Sequence, residues 1–427
     1  MSVKQNAIAN YIGTGVVALA PLLALPWYLA LLGPSQFGLV GFIATLQAVL
    51  GLLDAGMSQA LVREVALRFT AADQARYRTA NLLLGFERLY WLFALIVAGV
   101  AWWLAESIAT HWLQLGALTV VDGQLAVAGA AALFAVQFPG SIYRSVLVGT
   151  QAQVVLNFLM AVAALVRHVG AVVALAFWPA LATYVVWHAA TALLETLLRR
   201  LLAWRQLGVK KSDIGWHFQE LRPVLRTAGG MSAVALLGAL TVQMDKIVLS
   251  RMVTLEQFGY YTVASSAALG LLLLISPLVQ AVLPRAVQLR GQPLALRHLS
   301  FKLMGLIAGM VIGCAAVFIC CGRWLLMLWL HDATAVEVIH PLLSVLLLGT
   351  AMNAFYNIGY IHWLVQERVG RILLVNGLSV VLALVLIPLL VLWKGSLGAT
   401  LGWVLINLIG LMLSLEWLKR KSYEEPH

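Results

Sequence analysis

Apolar residues run in long blocks along this chain, separated by short breaks where arginine, lysine, glycine and proline collect. A helix needs roughly 20 apolar residues at about 1.5 Å rise each to cross a hydrocarbon layer, and blocks of that length recur from residue 8 to residue 417. The pattern predicts twelve spans, at 8–32, 36–60, 81–104, 123–148, 154–178, 182–204, 227–250, 257–283, 301–325, 338–364, 370–393 and 396–418. The first block is longer than a signal-peptide core and lacks a small-residue cleavage site, so it reads as a span of the mature protein. The expected class is an all-α, polytopic membrane protein.

The longest polar break, 205–226, carries Lys210, Lys211, Trp216, Phe218, Leu221 and Leu225, the composition of an amphipathic segment lying on a membrane surface. It separates an N-terminal lobe, residues 1–208, from a C-terminal lobe, residues 227–421, with 209–226 as the linker and 422–427 as a tail. The lobes echo each other. Gln36-Phe37-Gly38 opens the second span and Gln257-Phe258-Gly259 opens the eighth, while Gln59-Ala60 and Gln280-Ala281 follow at similar offsets. Each lobe holds six spans, so the copies share one orientation and form a parallel repeat, as in two-lobed transporters.

Composition sharpens this picture. Of the 427 residues 62% are hydrophobic and 11% charged, and mean hydropathy is +0.93, which excludes a water-soluble globular domain. The net charge of +11 could suggest nucleic acid, but its distribution points to anionic lipid. With the N-terminus inside, 21 lysines and arginines fall on cytoplasmic segments, Arg199, Arg200, Arg205, Arg222 and Arg226 among them, against Arg251, Arg323 and Lys394 outside. That bias predicts cytoplasmic N- and C-termini. Trp102, Trp103, Trp112, Trp178, Trp324, Trp329 and Trp393 gather at the predicted outer ends as an aromatic belt.

Prolines 21, 26, 139, 277 and 388 fall inside spans and predict kinks. Gly305, Gly309 and Gly313, like Gly398 and Gly402, are spaced for helix packing. Cys314, Cys320 and Cys321 have no partner at ligand spacing and read as packing residues.

Charges within spans are costly and mark candidate functional positions. They are Asp54 in span 2, Glu87 and Arg88 in span 3, Arg144 in span 4, Arg167 and His168 in span 5, His188 and Glu195 in span 6, and Asp245 and Lys246 in span 7. Gln243, Lys246 and Ser250 share one helix face, which implies a water-accessible cavity. Glu87 and Arg88 are candidates for a structural ion pair, whereas Arg167 has no carboxylate in its own span. Cations spread over several spans suit a bulky anion, and guanidinium is matched to phosphate oxygens. The expected translocation path comprises Arg88, Arg144, Arg167 and Lys246, with Asp245, Glu87, His168, Asp54 and Gln243.

Residues 243–264, with Asp245-Lys246 followed by an apolar run and Gly259-Tyr260-Tyr261, resemble the span 7 to span 8 signature of polysaccharide exporters, the O-antigen (Wzx-type) flippases. Gly33-Pro34-Ser35-Gln36-Phe37-Gly38 and the Leu53-Asp54-Ala55-Gly56 turn are similar to that family's first-loop and span 2 motifs. The resemblance bears on Asp54, Asp245 and Lys246. It implies two six-helix bundles in a V around a cationic cavity, working by alternating access. It further implies transfer of an undecaprenyl-pyrophosphate-linked oligosaccharide from the inner to the outer leaflet of a bacterial cytoplasmic membrane. Partners would be the lipid-linked oligosaccharide and membrane lipids, with a polysaccharide polymerase and a chain-length regulator as candidates, and no nucleic acid.

A multidrug or cation antiporter of the same superfamily is the alternative, disfavoured by the basic lean of the buried charges. A membrane-embedded polymerase or ligase is a third, but the longest outer loop, 105–122, offers only His111 as a catalyst. No phosphate-binding glycine loop, metal cluster or nucleophile triad is present in the sequence, so the expectation is a carrier rather than an enzyme, without cofactor, and with proton or sodium coupling through Asp245 or Glu87.

Overall fold

A computed structural model describes residues 3–54, 56–69, 73–209, 215 and 218–418. Among these residues there are helices and turns and no strand. The helices run α1 (Val3–Gly51), α2 (Met57–Phe69), α3 (Asp73–His111), α4 (Val120–Gln137), α5 (Gly140–Gly149), α6 (Gln153–Phe177), α7 (Leu181–Leu207), α8 (Phe218–Met252), α9 (Leu255–Gln288), α10 (Pro293–Leu330), α11 (Ala333–Val365), α12 (Val369–Lys394) and α13 (Ser396–Ser414). Lys210, Lys211 and Trp216 of the expected amphipathic segment, and the 422–427 tail, lie outside the described residues. Leu221, assigned to the same segment, is fully buried in protein.

Among the described residues eleven helical stretches are long and apolar enough to span a membrane, and the first of them holds two of the twelve expected spans. Gly33 divides it. Its φ of 75° and ψ of 161° belong to backbone that only glycine adopts easily, and Pro34 follows to start a new helix. Two boundaries differ from the sequence expectation. The second span ends at a short 3-10 turn, Leu52–Asp54, and Met57–Phe69 forms a separate short helix. The fourth span is broken at Pro139, which lacks the N–H needed to continue α4, so the chain restarts as α5.

The chain resolves into two compact units, one up to Leu236 and one from Leu237 onward. The first is held by a cluster that includes Leu61, Val65, Phe86, Tyr90, Phe138, Tyr143, Val146 and Leu221. In the second, Leu271, Ile275, Leu303, Ile307, Ile358, Ile361 and Trp417 pack together. The repeated Gln-Phe-Gly motif has a packing origin in both units, because Phe37 and Phe258 are each 0% exposed.

The outer surface is apolar to a degree that water would not tolerate. Trp102, Trp103, Phe177, Trp178, Ile319, Leu392 and Trp393 are all more than 60% exposed, as expected of side chains bathed in lipid or seated at its boundary. Two packing expectations are corrected here. A methyl added at Gly305, Gly309 or Gly313 would meet no atom within 4 Å, so this stripe holds no helix contact. Cys320 and Cys321 are exposed rather than packed. Gly398 and Gly402 do make close contacts, against Leu390 and Ile387 of α12.

Candidate functional site

In the first unit, three guanidiniums converge where α5, α6 and α7 meet. Glu195, buried on α7, accepts from Arg167 Nη2 of α6 at 2.5 Å and from Arg199, one turn along its own helix. Arg199 also lies within electrostatic reach of Arg144 on α5, which in turn reaches Asp54. Gly140 makes the approach possible: a β-carbon there would stand 2.9 Å from Thr196 Oγ1 and 3.4 Å from Arg199 Nη1. The Nε atoms of both Arg167 and Arg199 are buried without a hydrogen-bond partner. Buried donors of this kind cost free energy until something accepts from them. With Glu195 and Asp54 as the carboxylates, the group keeps one positive charge in excess, together with two donors awaiting an acceptor. This arrangement fits a bound oxyanion.

Asp54 is held differently. Its carboxylate accepts from Ser58 Oγ at 2.6 Å and from Tyr90 Oη at 2.5 Å, so it anchors the turn after α1 to α3. Glu87 is not paired with Arg88, as adjacency had suggested. It accepts from Arg200 Nε at 2.6 Å and Trp204 Nε1 at 3.0 Å, a brace between α3 and α7. Successive helical residues point about 100° apart, which is why Glu87 can face inward while Arg88 does not. Arg88 is exposed and shares its face with Leu92, Leu95 and Ile96. The structure therefore brings Arg144 and Arg167 together and leaves Arg88 apart from them.

The second unit holds its own buried pair. Lys246 Nζ lies 3.3 Å from Asp245 Oδ1 and donates to the carbonyl of Val242, one turn back in α8. Asp245 also accepts from Tyr261 Oη of α9 at 2.5 Å. Ser265, Thr350 and Trp403 close around the pair, leaving about 10 Å³, the space of one water. Along the Gln243, Lys246 and Ser250 face, for which the sequence implies a water-accessible cavity, Lys246 and Ser250 are buried and Gln243 is half-buried. Asn353 and Asn407, joined at 2.7 Å, extend this polar column between α11 and α13.

His168 sits beside Arg167, and its Nδ1 lies 3.1 Å from Tyr28 Oη of α1, with His188 of α7 close by. Sequence reasoning missed Arg199, Tyr28, Tyr90 and Tyr261. The Glu195 to Arg199 spacing of four residues was the one available signal for the first of these.

Long apolar helices in two units, each with charged groups gathered at its core, define a multi-pass membrane protein. A family model described as "Polysaccharide biosynthesis protein" matches residues 3–290, and the chain belongs to that family. A Shigella flexneri protein whose name assigns it to O-antigen transport is 22% identical over 98% of both chains. The fold is shared with the lipid II flippase MurJ in an inward closed conformation, at a TM-score of 0.71 and 12% identity over 96% of this chain and 86% of that one. It is also shared with an inward-facing multidrug resistance MATE transporter of the MOP superfamily, at a TM-score of 0.70 and 16% identity over 94% and 93%.

Proposed function

We propose that this protein is a flippase that carries an undecaprenyl-pyrophosphate-linked oligosaccharide, such as an O-antigen repeat unit, from the inner to the outer leaflet of a bacterial cytoplasmic membrane by alternating access, with both termini cytoplasmic. The observation that carries the reading is Glu195 held between Arg167 and Arg199, with Arg144 in electrostatic reach of Arg199 and two buried Nε donors left open. A pyrophosphate has the oxygens to fill them. In hydrocarbon such a group would meet a prohibitive solvation cost, so its path must supply fixed positive charge. Release also matters, and several cations partly neutralised by Glu195 hold an anion less tightly than a dedicated cluster would.

The family, the name of the Shigella flexneri relative and the fold shared with a lipid II flippase support the same reading. The MATE likeness keeps a multidrug antiporter as the second reading, but an excess of cations in the core disfavours cationic drugs. Deleting the gene in its host should abolish surface polysaccharide and leave lipid-linked repeat units on the inner leaflet. Complementation by Arg167→Gln should fail at matched protein level, and Arg167→Lys should restore part of the export. Repeat units found unpolymerised on the outer leaflet of the deletion strain would instead indicate a polymerase.

A further inference from the structure

Beside the guanidinium cluster lies a second polar group that anion binding does not require. Tyr28 of α1 is 2% exposed, and its hydroxyl reaches His168 Nδ1 at 3.1 Å, His188 Nε2 at 3.4 Å and the carbonyl of His168 at 3.3 Å. The imidazole centroids are 5.3 Å apart, and Tyr184 stacks on His188 at 4.0 Å. The charged neighbours are few. On α6, Arg167 acts electrostatically on both rings. On α7, Glu195 lies two turns beyond His188 and is committed to Arg167 and Arg199. On α4, which packs against α1 and α7, the one ionisable side chain is Asp122 in its first turn. Arg144 of α5 acts electrostatically on Arg199.

A hydroxyl has one proton to donate and two lone pairs to accept with. With both rings neutral, Tyr28 donates to His168 Nδ1 and accepts from His188 Nε2–H. If one proton is added at His168 Nδ1, both rings donate to the Tyr28 oxygen, and the hydroxyl hydrogen turns to the His168 carbonyl. Both ring contacts to the hydroxyl are satisfied in either state, which buried polar groups rarely achieve on gaining a charge. His168 is half-buried while His188 and Tyr28 are buried, so the proton enters at His168.

We propose that Tyr28, His168 and His188 form a proton-binding site linked to the anion site at Arg167 and Arg199, taking up one proton when the anionic group of the cargo is bound. The linkage rests on the anion-site reading above. A positive charge on the imidazoles is repelled by the Arg167 guanidinium, and an oxyanion on Arg167 relieves that repulsion. Proton and anion therefore raise each other's affinity by the same factor.

The test uses the purified full chain in nanodiscs, with inorganic pyrophosphate as the probe and binding measured from about pH 5 to about pH 8, the range in which imidazole charge changes are read. Wild type should gain about tenfold more affinity on acidification than His168→Gln or His188→Gln, a coupling of ordinary size. The titration of pyrophosphate itself is common to all samples and cancels. Tyr28→Phe keeps the ring that packs on Tyr184 and should reduce the extra gain to about twofold, guarding against a histidine variant that fails to fold. Imidazole titration followed by ¹⁵N NMR should show one proton taken up by the pair, at a midpoint about one pH unit higher with pyrophosphate present.

Equal pH dependence in wild type and variants, with binding intact, overturns the proton site and leaves the anion site standing. Absence of pyrophosphate binding at every pH overturns the anion site. The NMR titration then decides the proton site: uptake whose midpoint moves in Arg167→Gln supports it, and no uptake, or a midpoint that does not move, overturns it.

Discussion

Glu195 accepts from two guanidiniums whereas Glu87 accepts from one, and under the proposed function this difference should separate transport from support at the adjacent Arg199 and Arg200 of α7. In Arg199→Gln, Glu195 keeps Arg167, so the folded state should lose less than about 1 kcal/mol, while export falls at least about tenfold for want of a phosphate donor. In Arg200→Gln, Glu87 keeps only the Trp204 indole, and the loss should appear as about 2 kcal/mol of stability, with transport per folded molecule retained. Thermal unfolding in detergent beside an export assay reads both quantities, and normal export by Arg199→Gln would remove the guanidinium cluster from the path. The pattern of spans gave no warning of this division. Arg199 and Arg200 lie near the inner end of the expected 182–204 span and so count with the cytoplasmic charges, whereas α7 continues to Leu207 and draws its partner carboxylates from α3 and from one turn back. Arg167 had no carboxylate in its own span because its partner belongs to the next helix. Ion pairs between helices are tertiary facts, and a linear pattern holds them only when both members share a helix face.

At the scale of elements, what the chain displays clearly is what solvent dictates. Each span must satisfy its own backbone in hydrocarbon, so its length and position are written as an apolar run. Breaks were legible where a residue enforces them, at Gly33 and Pro139, and less so where a turn follows from packing, as in the short helix after Asp54. Of the two glycine stripes only Gly398 and Gly402 pack as expected, because spacing reports which residues share a face and not what that face meets. Gly359, unremarkable in the sequence, faces the main chain at Ser414 of α13, and a methyl there would overlap the carbonyl oxygen. Gly309, part of a regular stripe, faces open space. Gly359→Ala should therefore cost about 1 to 3 kcal/mol, since backbone cannot yield as a side chain can. Gly309→Ala should be neutral, or stabilising by up to about 1 kcal/mol through helix propensity. Denaturation midpoints of the two variants in one detergent test the contrast, and a destabilised Gly309→Ala would mean that a partner covers α10.

For the whole molecule, charge links fold to energetics. The lysine and arginine bias predicts cytoplasmic termini, and a membrane potential negative on that side would drive an anionic cargo outward. An anion leaving a negative interior gains about 2.3 kcal/mol per charge per 100 mV, a factor of about fifty at equilibrium. A proton bound at Tyr28, His168 and His188 would offset one of those charges while the loaded site faces outward, so the net charge moved is that of the cargo less the proton. Since a pyrophosphate diester carries more than one negative charge, an inward-negative potential should still drive export. In proteoliposomes holding the purified protein in known orientation, with a potassium gradient and valinomycin setting the potential, outward transfer of a lipid-linked pyrophosphate should accelerate as the cytoplasmic side becomes negative. The acceleration should be greater in His168→Gln, where no proton travels with the cargo and the full charge senses the field. A rate indifferent to potential in wild type would mean that the protein's own cations move with the cargo and neutralise it. Slowing under the same potential would mean that more protons than cargo charges leave together, so that net positive charge moves outward against the field.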